Sequence, residues 1–186
     1  MKKPQIYQMT SCALMTALMC VLGPMSIPIG PIPVSFTNFV VLLSVYLLGM
    51  KGAVVSYLVY LLLGAVGLPV FSGYQGGLAK LAGPTGGYLV AFILMALIAG
   101  FIMERSHEHT VITILGMMAA TLIAYLGGTV WFVFQMRCGV WYALTACVFL
   151  FIPADIVKIL AAAALGKTIR STLAKAGLLQ IPAAGR

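Results

Sequence analysis

The sequence predicts an all-α integral membrane protein: a bundle of six transmembrane helices with a glycine-rich extracytoplasmic loop between helices 3 and 4. Three observations predict it. Of the 186 residues, 62% are hydrophobic and only 8% are charged, against roughly 25% charged in an ordinary soluble domain. Six apolar segments can be marked, at residues 8–25, 35–49, 52–68, 86–103, 111–136 and 140–166. Most of the charges flank these segments, as membrane topology signals do. The mean hydropathy of +1.11 agrees. We therefore expect a single membrane domain over residues 1–186, with no room for a soluble catalytic module.

The first segment follows Met1-Lys-Lys, but Gln5, Tyr7, Gln8, Thr10 and Ser11 delay its apolar run. No clean small-residue cleavage site follows, so it reads as a retained helix rather than a signal peptide. Four prolines between Pro24 and Pro33 end it. The second and third segments are short for a span of about 20 residues. Gly49-Met50-Lys51-Gly52 separates them, and they can also be read as one bent unit. Gly67–Tyr88 comes next: seven of its 22 residues are glycine and two are proline, so it is not a continuous helix. Such backbone at a bilayer needs protein or water to satisfy it, and it allows close approach to a ligand. The fourth segment ends in the polar turn Glu104-Arg-Ser-His-Glu-His109. His107 and His109 raise the thought of a metal, but no distant ligand set joins them, and a solvated turn is expected. The fifth and sixth segments are joined through Arg137, which with Trp131 and Trp141 reads as an interfacial anchor.

With six spans, both termini share a side. That side collects Lys2, Lys3, Lys51, Arg105, Lys167, Arg170, Lys175 and Arg186; the other collects Lys80 and Arg137. The positive-inside rule then puts both termini in the cytoplasm and the glycine-rich loop outside, in a multi-pass protein of the cell membrane. A net charge of +8 does not imply nucleic acid, because no basic stripe with interleaved aromatics exists.

Asp155 and Lys158 lie three apart within an apolar segment, on one helical face. Each costs about 2.5–3.5 kcal/mol at a bilayer centre, so both should face the bundle interior. They read either as a structural ion pair or as the lining of a polar cavity. Lys80 is either a loop lysine reaching water or a partner for an anionic group. Gly166-Lys167-Thr168 resembles the end of a phosphate-binding loop, but Ala161 stands where that motif needs glycine. Ala13-Leu-Met-Thr-Ala17, Ala96–Gly100 and Ala120–Ala124 are small-xxx-small patterns that permit close helix packing. The four cysteines form no CxxC pair and read as small hydrophobes. Three acidic residues in all leave no paired-carboxylate or other catalytic set, so an enzyme is not expected, nor are a metal or a cofactor.

Gly67-Leu-Pro-Val-Phe-Ser72, Gly76-Gly77, Gly83-Pro-Thr-Gly-Gly-Tyr88 and Pro153-x-Asp155-x-x-Lys158 together resemble the signature of the BioY family. Members of that family are biotin-binding S-components of energy-coupling factor (ECF) transporters. The resemblance covers nearly the whole chain. It implies biotin capture from outside, in assembly with a transmembrane coupling subunit and two cytoplasmic ATPase subunits. It makes Ala13 and Ala17 the docking surface for the coupling subunit. With biotin as the ligand, an ionised Asp155 is expected to accept from a ureido N–H and Lys158 to donate to the ureido carbonyl. Gln75, Gly77 with the loop backbone, and Thr37 would add hydrogen bonds. Phe36, Tyr88 and Trp131 would cover the apolar ring, and Lys80 or Arg137 would meet the carboxylate. The loop would order as a lid. Pro33-Val-Ser-Phe-Thr37 departs from the family's usual Pro-x-Thr-x-Gln. The other readings are a stand-alone small-molecule membrane carrier and a structural membrane subunit without ligand.

Overall fold

A hydroxyl in an apolar helix must find a partner without water, and the carbonyl four residues back is the nearest. In a computed structural model describing residues 3–29, 32–106 and 109–175, this rule recurs along the chain. Thr10, Thr16, Ser44, Ser56, Thr121 and Thr168 all donate to the carbonyl four residues earlier. The helices that result are α1 (Lys3–Leu22), α2 (Thr37–Ala65), α3 (Leu78–Ala82), α4 (Gly86–Arg105), α5 (Thr110–Met136), α6 (Val140–Leu144) and α7 (Ile152–Lys175). A π-helical turn, Thr145–Phe149, links α6 to α7. The proline-rich first loop pairs β1 (Ser26–Ile27) with β2 (Val34–Ser35) as a small antiparallel ribbon. Its tip lies outside the described residues, as does His107.

The second and third apolar segments form one helical run broken at Gly49, whose φ of 72° suits glycine. The halves fold back on each other. Thr37, near the start, comes beside Tyr60, near the end. The break is held by the Glu104 carboxylate, which accepts from the Met50 amide at 2.9 Å. At the same end of the bundle Arg170 donates to the Tyr46 carbonyl at 3.0 Å and Lys167 to Thr110 at 3.3 Å. Gly166 is there for packing: a Cβ on it would strike Tyr46. The Gly-Lys-Thr string is thus mid-helix, where no phosphate loop can form.

The core runs between α1, α2, α4, α5 and α7, with Met19, Tyr57, Tyr60, Met95 and Met117 buried in it. Two of the small-xxx-small patterns serve this packing, since Ala96, Gly100, Ala120 and Ala124 are buried. Ala13 and Ala17 are exposed on the outer face of α1. On the inner face, Thr16 also donates to the Ser56 carbonyl at 3.0 Å and binds α1 to α2. All four cysteines are free, and Cys147 is buried.

The glycine-rich loop is pinned rather than loose. The Tyr60 hydroxyl donates to the Val70 carbonyl at 2.9 Å. Phe71 packs edge-on against Tyr60, with ring centroids 5.6 Å apart, over the bare backbone of Gly64. Its backbone pairs with Gln75, closing a tight turn through Gly73 and Tyr74, both at positive φ. The Gly77 amide donates to the Gly64 carbonyl at 2.7 Å. Trp131 Nε1 holds the far end through the Gly83 carbonyl at 2.9 Å.

A side chain at residue 64 would occupy the volume of the Phe71 ring. Gly64→Val is therefore expected to unseat Phe71 and cost about 1–3 kcal/mol. A lowered melting temperature in detergent, with faster proteolysis within residues 67–82, is the expected result; an unchanged melt would show that the loop does not depend on this slot.

Candidate ligand-binding site

The site is built where the first loop, α2, α4, α5 and α7 converge. Pro153 sits in the first turn of α7, where its missing N–H costs nothing. Asp155 follows, its amide donating to the Phe151 carbonyl at 2.8 Å. One helical turn on, Lys158 Nζ donates to Asp155 Oδ1 at 3.0 Å, to the Ser35 carbonyl at 2.7 Å and to Asn38 Oδ1 at 3.2 Å. An ammonium has three N–H groups, so this arrangement uses all of them. The Phe36 ring lies 5.9 Å from the same nitrogen, within cation–π range. From α5, the Tyr125 hydroxyl donates to Asp155 Oδ2 at 2.5 Å. The carboxylate is therefore clamped on both oxygens while keeping unused lone pairs. Asp155 and Asn38 are only 6% and 5% exposed.

These groups line one wall of a cavity of about 60 Å³. Apolar lining comes from Ile32, Val34, Leu89, Phe92 and Phe151, and polar lining from Asn38, Ser72, Thr85, Tyr88, Tyr125, Asp155 and Lys158. The Tyr88 hydroxyl meets Thr129 at 3.0 Å, which fixes its ring. A mostly apolar pocket with a few convergent polar groups is the usual form of a small-molecule site.

Of the residues marked in the sequence, Asp155, Lys158 and Tyr88 meet in this cavity. Phe36 lies behind Lys158, half exposed, and Thr37 is buried one position before Asn38, accepting from Ser35 Oγ at 3.3 Å. Gln75, Gly77, Lys80 and Trp131 are not among the residues lining it. Gln75 is exposed at the loop turn, and Lys80 rides half-buried on α3, where burial lowers its ammonium pKa below the usual lysine value. Arg137 caps α5 in a left-handed conformation and is exposed. Asn38, Phe92, Tyr125 and Phe151 line the cavity without being marked in the sequence, and Ser72 and Thr85 appear there only within motifs. A spacing of four along α5 was the available signal for Tyr125: Thr121, Tyr125 and Thr129 form one inward stripe, all buried.

Fold and site together define a multi-pass membrane protein with a half-open cavity lined by apolar side chains and a few convergent polar groups. The chain belongs to the BioY family, whose model matches residues 1–175. It is 41% identical to the biotin transporter BioY of Thermotoga maritima over 120 residues, 64% of this chain and 71% of that one. It is 33% identical to the biotin transporter BioY of Rhizobium etli over 170 residues, covering 84% of this chain and 89% of the relative. Its fold matches the crystal structure of the S-component for biotin from an ECF-type ABC transporter. That match has a TM-score of 0.86 and 28% identity, over 92% of this chain and 95% of the other.

Removing one partner of a buried ion pair costs about 3–5 kcal/mol, whereas replacing both with apolar residues is far milder. Lys158→Met is expected to lower the melting temperature markedly, and Asp155→Leu combined with Lys158→Met to regain most of it. Equal losses in the single and double variants would mean that the pair adds nothing by being paired.

Proposed function

We infer that this chain captures biotin as the substrate-binding S-component of an ATP-driven ECF transporter. The observation that carries this reading is the clamped Asp155–Lys158 pair in the wall of a cavity, in a chain of the BioY family. Biotin offers two ureido N–H donors, a carbonyl acceptor, an apolar thioether ring and a carboxylate. Asp155 accepts from a ureido N–H through a lone pair left free by Tyr125 and Lys158. Lys158 donates to the ureido carbonyl by exchanging one of its protein acceptors for the ligand. Asn38, whose Oδ1 accepts from both Lys158 and the Phe39 amide, turns its amide group toward the cavity as a further donor. Tyr88, Phe92 and Phe151 cover the apolar ring. Gln75, Gly77 and Lys80 act from outside the present lining, through the loop that closes over the ligand; Phe36 and Thr37 act from the start of α2 and Trp131 from α5.

The six crossings are α1, the two halves of α2, α4, α5 and the α6–α7 run, within a single membrane domain. Both termini then lie in the cytoplasm with the charge excess, and the cavity opens outward under the glycine-rich loop. The chain performs no catalysis of its own, and ATP is hydrolysed by the two ATPase subunits. Ala13 and Ala17, exposed on α1 while the other small-residue pairs are buried, receive the coupling subunit.

Equilibrium binding tests the ligand assignment. The wild-type protein in detergent is expected to bind biotin, and Asp155→Asn or Tyr125→Phe to weaken it by about tenfold or more. A wild-type protein that does not bind biotin would overturn the function, and unchanged affinity in Asp155→Asn would reduce the pair to a structural one. Ala13→Leu is expected to spare biotin binding and to block co-purification with the coupling subunit. Lost binding in that variant would instead mean that α1 packs inward at Ala13.

A further inference from the structure

As it stands, the cavity is too small to enclose its ligand. Pockets for molecules of drug size run to about 300 Å³ or more, and this one measures about 60 Å³. Part of the wall must move before biotin can seat. The helical wall is cross-bonded: Lys158 ties α7 to α2 through Asn38, Tyr125 ties α5 to α7 through Asp155, and Tyr88 ties α4 to α5 through Thr129. The rest of the wall includes two loops, with Ile32, Pro33, Val34 and Ser35 from the first and Ser72 from the glycine-rich one.

These two loops are fastened to each other at one corner. The Gly73 amide donates to the Pro24 carbonyl at 3.1 Å, and next to Gly23 the Tyr60 hydroxyl donates to the Val70 carbonyl at 2.9 Å. Residue 23 must be bare here, because a Cβ on it would stand 2.6 Å from the Tyr60 oxygen and 2.8 Å from the Val70 oxygen. A phenol has one proton to donate, and this one goes to the glycine-rich loop. Tyr60 is fully buried, its ring centroid 5.6 Å from those of Tyr57 and Phe71, and it is not among the residues lining the cavity. The neck of the loop is glycine on both sides. The amides of Gly67 and Gly77 donate to the Gly64 carbonyl at 3.1 and 2.7 Å, and both residues have positive φ with nothing within 4 Å of where a Cβ would be. A few such end positions are enough to absorb the dihedral change of a hinge. Swinging about this neck carries Ser72 away from the cavity, and the bonds at Val70 and Gly73 oppose it.

We propose that Tyr60 is a positioning residue that acts as a latch: its hydroxyl holds the glycine-rich loop against the first loop in the ligand-free protein, and its release from Val70 sets how fast ligand enters and leaves. The biotin reading above supplies the ligand, while the latch itself belongs to the empty protein. Because the latch is closed before any ligand arrives, weakening it speeds passage in both directions and leaves the binding equilibrium nearly as it was.

Tyr60→Phe keeps the ring and removes the hydroxyl. One hydrogen bond corresponds to about threefold to tenfold in rate, so biotin association and dissociation should both accelerate by about that factor, with Kd within about twofold of the wild type. In the ligand-free protein, hydrogen exchange of the Gly73 amide should quicken by a similar factor while that of the Gly77 amide, at the neck, does not. Unchanged exchange at Gly73 would overturn the proposal. So would a lowered melting temperature with both rates unaltered, the mark of a merely structural tyrosine, or a loss of affinity through dissociation alone, the mark of a residue that acts only on the bound state. Faster Gly73 exchange in a protein that binds no biotin would uphold the latch and overturn the biotin reading instead.

Discussion

A single ammonium group sets the terms for the rest of this molecule. Lys158 sits where a bare charge costs several kcal/mol, and it is tolerated because three acceptors surround it. Those acceptors come from the strand before α2, from the first turn of α2 and from α7 itself. Satisfying the charge therefore joins the first loop, α2 and the last helix at one point. The same demand shapes the carboxylate beside it, since Asp155 must serve Lys158 and Tyr125 at once. What results is a polar floor whose atoms are placed before any ligand arrives, which lowers the ordering cost of binding.

The covering loop follows a different logic. Its backbone is irregular and lies beside a bilayer, so each stretch needs a protein partner. Tyr60, Gly64 and Trp131 supply those partners from three separate places. Glycine is needed twice over: positive φ at Gly73 and Gly77 turns the chain, and the bare backbone of Gly64 gives the Phe71 ring its seat. Between the anchors, Tyr74, Gln75 and Leu78 stay exposed.

The membrane class, the apolar segments and the Asp155–Lys158 pair were legible in the sequence because each follows from the cost of polar atoms in hydrocarbon. That cost is visible residue by residue. The partners of the pair were not legible in the same way. Tyr125 lies inside an apolar run, where a tyrosine serves equally as core or as an interfacial group, and only its spacing from Thr121 and Thr129 marks the inward face. Asn38 follows a proline-rich loop, where an amide is unremarkable until the fold brings α7 across it. Thr85 belongs to a glycine-rich motif, and only the fold brings it to the cavity. The short second and third segments could be read as one bent unit or two spans. Gly49 breaks the helical run between them and returns Thr37 to Tyr60.

The last helix is gripped by α2 at two levels. Lys158 reaches Asn38 near one end of the descending half of α2, and Arg170 reaches the Tyr46 carbonyl near the other. Twelve residues of helix separate the two attachments, about 18 Å at 1.5 Å per residue. Two bonded points that far apart leave a rod neither free to spin on its axis nor to slide along its neighbour. The pair therefore behaves as a splint across roughly half of the bilayer's hydrocarbon core. Any adjustment at the ligand end that tilts this splint must swing its opposite end, and with it the basic rim that faces the other side of the membrane.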